Sequence, residues 1–336
     1  MKLLIITQKV DKADPVLGFF HRWIEKFSTY YESITVICLY EGEHNLPSNV
    51  RVLSLGKESG KSKIEYIINF YKYIIQERDN YDKVFVHMNQ EYILLAGIIW
   101  KILKKDVFMW RNHNIGDRLT DISALFCSKV FCTSKFSYTA KYNKTQIMPV
   151  GVDLENFKPN QNIKRIPNSI LSLGRIAPSK NIDILVDAII EMNNPDIITS
   201  VYGNPLLQDE IYYKGLKVKG ENHIDFYPGI SNTETINIYS QNSIFVNLSS
   251  SGMYDKTIFE AIACGCLVLV SNDNLRGQIS DDFIFQERNK NELIRKLNNL
   301  LNYNQDQIDK ARVELNNFIK NHSLDNLSKK LYDSIK

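Results

Sequence analysis

The chain has 336 residues, 44% of them hydrophobic and 24% charged, with a formal net charge of +3. That length suits two domains with substantial cores, and so modest a charge excludes a protein that grips nucleic acid through a basic field, so no nucleic-acid partner is expected. The five cysteines, Cys38, Cys127, Cys132, Cys264 and Cys266, are odd in number and spaced for neither a C-x-x-C redox pair nor a zinc ribbon, which reads as free thiols in a reducing, cytoplasmic compartment.

The opening MKLLIITQKV has too short an apolar run for a signal peptide and reads as a first β-strand. Short β-branched runs then alternate with helical stretches. Strands are expected in KLLIIT, SITVICL, VRVLSL, DKVFVHM, DVFMWRN, KVFCTS and TQIMPV, with helices such as FFHRWIEKF and KIEYIINFYKYIIQ between them. The longest apolar run, YILLAGIIW, is about half of the ~20 residues that a bilayer crossing needs. Lys101, Lys104 and Lys105 follow it. They read either as an ordinary complement to a helix C-terminus or as an attraction for an anionic membrane surface.

PVGVDLENFKPNQNIKRIPNS has the composition of an exposed linker. The strand pattern restarts beyond it in SILSLG, IITSVYG, HIDFYPG, SIFVNLS and CLVLVS, which predicts a second Rossmann-like domain. The segment SLDNLSKKLYDSIK places Leu324, Leu327, Leu331 and Ile335 on one helical stripe.

Open parallel sheets bind ligands at the carboxyl ends of their strands, so the groups there are candidates for chemistry. Arg175 and Lys180 follow SILSLG just before a helix, a setting for phosphate or diphosphate. Gly18 starts the first helix, where its backbone could approach a ligand or simply turn the chain. His113, within RNHNIGDR, could bond a sugar hydroxyl or stay a satisfied turn residue. Glu260 interrupts an apolar helix in SGMYDKTIFEAIACGC, and its spacing from Thr257 is that of a capping box. There is no D-x-D pair, metal-binding helix, nucleophile elbow or G-x-G-x-x-G, so neither metal nor cofactor is expected.

Four segments, in order, resemble a retaining GT-B glycosyltransferase of family 4. PVGVDLENFKP resembles its interdomain N-G-V-D-x-x-x-F-x-P, with Val150 for the Asn. LGRIAPSKNIDILVDAI resembles its phosphate loop, with Asn181 for the glycine after the lysine. FYPGISNTETINIYSQNSIFVNLSSS resembles the strand, helix and strand before the donor loop, and FEAIACGCLVLVS resembles its L-E-A-M-A-x-G-x-P-V-V. The resemblance implies an α/β, GT-B fold of two Rossmann-like domains facing each other across a cleft. Residues 1–155 would bind the acceptor, residues 156–320 the nucleotide sugar, and residues 321–336 would form a helix packing back on the first domain.

It also implies sugar transfer from a nucleoside diphosphate donor to a glycan or lipid-linked acceptor in polysaccharide or glycoconjugate synthesis, without a metal. The enzyme would work in the cytoplasm at the inner face of the cell membrane, touching it through the N-terminal domain. Arg175 and Lys180 would stabilise the diphosphate, helped by Gly18 amides, Glu260 would bind the ribose, and His113 would contact the sugar. Gly203 and Tyr227, with the neighbouring Tyr202 and Phe226, would flank the base, and the loop Gly252, Met253, Tyr254, Asp255, Lys256 and Thr257 would contact the donor. The family's first glutamate falls on Gly252, which has no side chain to hold a sugar. That departure leaves a non-catalytic sugar-nucleotide-binding partner subunit of the same fold as the alternative.

Overall fold

In the computed structural model, which describes every residue except Pro15 and Met253, the run KLLIIT lies at the centre of a parallel sheet. Its Leu3, Leu4, Ile5 and Ile6 are all buried, because helices cover both faces of a sheet built by crossovers. The strands are β1 (Lys2–Val10), β2 (Ser33–Glu41), β3 (Val50–Ser54), β4 (Lys83–His87), β5 (Asp106–Trp110), β6 (Lys129–Cys132) and β7 (Thr145–Ile147). They are ordered β3-β2-β1-β4-β5-β6-β7, every pairing parallel.

Helix α1 (Gly18–Ser28) buries Phe20, Trp23, Ile24 and Phe27 on one face of that sheet. Helices α2 (Lys63–Gln76), α3 (Glu91–Ile102) and α4 (Arg118–Leu125) cover the other with Phe70, Ile74, Ile93, Trp100 and Ala124. Capping boxes start α2 at Ser62 and Glu65 and α4 at Asp117 and Thr120, each capping residue stabilising its helix by about 1 kcal/mol.

The second sheet restarts the same plan with β8 (Ser169–Leu173), α5 (Ile182–Met192), β9 (Ile198–Tyr202), α6 (Glu210–Gly220), β10 (Asp225–Tyr227), α7 (Asn232–Gln241), β11 (Ile244–Asn247), α8 (Lys256–Ala263) and β12 (Leu267–Val270). Its order is β10-β9-β8-β11-β12, all parallel. Helices α9 (Lys290–Leu301) and α10 (Gln305–Asn321) follow, and α11 (Leu324–Ile335) ends the chain.

The chain divides into unit 1, Met1–Gly151 with Leu324–Lys336, and unit 2, Val152–Ser323. Helix α11 belongs to unit 1 because its Leu324, Leu327, Leu331 and Ile335 are all buried in the α1 side of that core, and each such side chain contributes about 1.5–3 kcal/mol by leaving water. Gly151 ties this packing together. Trp23 Nε1 donates to its carbonyl at 3.2 Å, its φ is +78°, and a β-carbon there would lie 2.4 Å from Leu327. All five cysteines are free and buried.

Candidate functional site

Strand order reverses in each sheet, between β1 and β4 in unit 1 and between β8 and β11 in unit 2. Such reversals open a crevice at the carboxyl ends of the strands. In unit 2 the crevice is a narrow recess whose lining includes Gly174, Arg175, Lys180, Asn247, Ser249 and Asp255.

The loops that build it are held by glycine. Gly174, just after β8, has φ +148°, and its carbonyl would lie 1.9 Å from a β-carbon placed on Gly203, just after β9. Gly203 therefore serves a backbone crossing. Asn181 occupies the left-handed region, φ 49° and ψ 35°, which asparagine tolerates better than most side chains. Its Nδ2 also donates to Leu248 O at 2.9 Å, so it fills a position where the resembling motif has glycine.

Asp255, at the N-cap position of α8, organises the charge. Lys180 Nζ donates to Asp255 Oδ2 at 2.6 Å and to Ser249 Oγ at 3.0 Å. The same carboxylate oxygen accepts from Ser249 Oγ at 3.0 Å and from Asn247 Nδ2 at 3.2 Å, while Oδ1 accepts from Thr257 Oγ1 at 3.0 Å. Burial alone would raise the Asp255 pKa. The Lys180 charge and the hydrogen bonds from Lys180, Asn247 and Ser249 outweigh it and hold the carboxyl below its ordinary range. Arg175 is exposed and makes no hydrogen bond or ion pair among the described residues. Lys180 is therefore already matched by a carboxylate, and Arg175 supplies an unspent positive charge.

The Thr257–Glu260 capping box does not form. Helix α8 starts at Lys256 with Asp255 at its N-cap, so Thr257 lies two positions too far along to cap it, and its hydroxyl bonds Asp255 instead. Glu260 is turned inward and buried, with Tyr239 OH donating to its Oε2 at 3.4 Å. Burial pushes the Glu260 carboxyl up and the Lys256 ammonium down, while their mutual attraction, one helical turn apart, opposes both shifts.

The remaining donor-loop residues divide. Gly252 has φ +149°, a conformation in which any β-carbon is strained. Tyr254 packs edge-on against Phe259 at 5.0 Å, donates to Asn274 O at 3.2 Å and accepts from Gln278 Nε2 at 2.6 Å, which fits a loop anchor. Met253 lies outside the described residues. At the ends of β9 and β10, the rings of Tyr202 and Tyr227 stack at 4.6 Å and 17°, with Tyr227 exposed.

At the carboxyl edge of unit 1, polar groups bond their own chain. The Gly18 amide donates to Asp14 O at 2.9 Å, and a β-carbon there would lie 3.0 Å from Lys12 O, so this glycine permits a close turn. Asn112 Oδ1 accepts from Thr133 Oγ1 at 2.9 Å and Ser137 Oγ at 3.1 Å. His113 is exposed, and its Nδ1 accepts from the Ile115 amide at 2.9 Å, which leaves Nε2 pointing away from that bond.

Asn247, Ser249 and Tyr239 were not legible as site residues. Asn247 carried one signal, a lone polar residue closing the apolar strand IFVN.

Two Rossmann-like parallel-sheet units, the second with a cation-lined crevice at its switch point, define the GT-B class of glycosyltransferases. Residues 153–322, half of the chain, match the family described as glycosyl transferases group 1, and the chain belongs to that family. No curated protein sequence matches it. Among solved structures it is similar to Anabaena Alr3699/HepE in complex with UDP, at TM-score 0.80 and 15% identity over 99% of both chains. HepE with UDP-glucose gives 0.76 and 15% over the same share of both chains. A glycosyltransferase from Rickettsia africae ESF-5 gives 0.77 and 17% over 98% of both.

Proposed function

We propose that this glycosyltransferase takes its sugar from a nucleoside diphosphate donor bound on unit 2 and passes it, with retention and without a metal, to a hydroxyl of a glycan or lipid-linked acceptor on unit 1. The observation that carries the donor reading is the recess holding Arg175 and Lys180 at the unit 2 switch point. Two cations there oppose the charge that grows on the leaving diphosphate, and a preorganised donor of this kind is worth roughly 2.7–4 kcal/mol. The UDP and UDP-glucose complexes of HepE support a donor of the same chemistry.

Lys180 exchanges Asp255 for phosphate as the donor enters, and Ser249 keeps its ammonium in place. Glu260 is the ribose ligand, and the Tyr202–Tyr227 stack is the platform for the base. His113 Nε2 faces the sugar. A lipid-linked acceptor in polysaccharide or glycoconjugate assembly places the work at the cytoplasmic face of a membrane.

Gly252 favours a second reading, a partner subunit that binds the donor without turning it over. A panel of nucleotide sugars and acceptors separates the two. Acceptor-dependent nucleotide release that collapses in Lys180→Ala supports transfer, and donor binding without release under every acceptor sinks it.

A further inference from the structure

The cations of the unit 2 recess account for a diphosphate and leave open what meets the sugar it carries. Ser249 and Asp255 both line that recess, and Ser249 Oγ donates to Asp255 Oδ2 at 3.0 Å. The loop between them is therefore closed at its base and stays at the rim of the recess. Within it, the Ser251 amide donates to Glu287 Oε2 at 3.3 Å. The next residue, Gly252, adds no side chain of its own, so the carboxylate at this point of the loop comes from 36 positions further along the chain.

The fold fixes Glu287 there. Ile284 bridges Val270 in parallel and the Phe285 amide donates to Val270 O at 3.0 Å, so the chain beyond β12 returns alongside it and emerges at the carboxyl edge of the sheet. A turn follows, closed by the Asn289 amide donating to Gln286 O at 3.0 Å and held to the first turn of α9 by the Gln286 amide donating to Glu292 Oε2 at 2.8 Å. Arg288 completes it in the left-handed region, φ +59°, a conformation costly for any residue with a β-carbon. Bonds at both ends hold this strained turn, and Glu287 projects from it.

The other acids around this loop are committed. Asp255 is matched by Lys180 at 2.6 Å, Asp273 accepts from Arg276 Nε at 2.8 Å, and Glu260 is buried against Tyr239. Glu287 is only half-buried, and among the described residues it forms no ion pair and its Oε1 no hydrogen bond. An ionised carboxylate only accepts hydrogen bonds, and those it takes from hydroxyls are stronger than neutral ones. A sugar presents hydroxyl donors on every face, whereas a sugar bearing its own acid would be repelled.

We propose that Glu287 sets the specificity for the transferred sugar, its free Oε1 accepting from a sugar hydroxyl and selecting a neutral, hydroxylated sugar over one that carries an acid. The assignment rests on the donor reading of unit 2. Oε2 stays with the Ser251 amide and orients the carboxylate.

Calorimetry of the full chain with a panel of UDP, GDP and dTDP sugars, each beside its free nucleoside diphosphate, tests this. Glu287→Ala should weaken the best-bound nucleotide sugar about tenfold or more and leave its free diphosphate unchanged, whereas Lys180→Ala weakens both. Wild type should discriminate against deoxy analogues and epimers of that sugar at one hydroxyl, and Glu287→Ala should narrow the gap. A nucleotide uronate should bind the alanine variant better than wild type. Glu287→Gln keeps an acceptor for the Ser251 amide, so it carries the test should the alanine variant melt early. Equal loss for nucleotide sugar and free diphosphate makes Glu287 a support of the loop and overturns the proposal, as does a sugar affinity that neither variant changes. Failure of wild type to bind any of the diphosphates overturns the donor reading itself, and this assignment with it.

Discussion

The carboxyl edges of the two sheets are built on one plan and finished differently. In unit 1 the Gly18 amide, the Asn112 side chain and the His113 Nδ1 are all engaged by their own chain. In unit 2, Lys180, Asn247, Ser249 and Thr257 converge on Asp255, and Arg175 beside them makes no hydrogen bond or ion pair among the described residues. A switch point supplies a crevice, but charge that can be released to a ligand decides which crevice holds the donor. The comparison predicts that substitutions at the unit 2 edge act most strongly on donor use, while at the unit 1 edge Gly18 acts chiefly on stability and His113 affects transfer less than Lys180 does.

The largest effect should come from Lys180→Ala, which removes one charge from the leaving diphosphate. Nucleotide release should fall about 10²–10³-fold in kcat, and an equal loss in His113→Ala would break the comparison. Next is Asp255→Asn, which removes the partner of a lysine and several hydrogen bonds and should lower stability by about 1.5–3 kcal/mol, while nucleoside diphosphate binds more tightly because the competing carboxylate charge is gone. The sign with pH follows from the lowered Asp255 pKa. Its stabilisation is fully present above the unfolded aspartate value of about 3.9 and is lost as pH falls through the folded value. Acid melts should therefore show a steeper decline for wild type than for Asp255→Asn in that window.

Gly252→Ala should destabilise by about 1–3 kcal/mol, read by denaturant unfolding, because φ +149° is nearly closed to a side chain. Glu260→Gln should weaken nucleotide binding about tenfold in calorimetry, the loss of one charged hydrogen bond, with little change in melting since a buried carboxylate is also removed. The smallest effect belongs to Gly18→Ala, about 1 kcal/mol of stability for a tight contact with Lys12 O. Its donor affinity should stay that of wild type, and a clear drop would restore Gly18 to the donor site.

Much of this was legible beforehand, for a local reason. All twelve strands fall on the runs picked out in the sequence, since burial on both faces demands apolar runs in the inner strands of a parallel sheet, while the edge strands β3, β7 and β10 are only partly covered. The α11 stripe was equally plain. The site was less so. The pair Arg175 and Lys180 was visible from its place before a helix, yet nothing in the order of residues showed that Lys180 reaches Asp255, 75 positions on.

The capping-box spacing at Thr257 and Glu260 misled because the start of α8 is set by what Asp255 bonds, and those partners come from β11 and the loops after β8 and β11. By itself the sequence determined the succession of strands and helices, the two-sheet plan and the glycines and asparagine where loops must turn, all written in neighbours a few residues apart. Only the tertiary structure decided which charges meet, which glutamate is buried and which helix sides face water, because these depend on groups far apart in the chain whose burial, not identity, sets their chemistry.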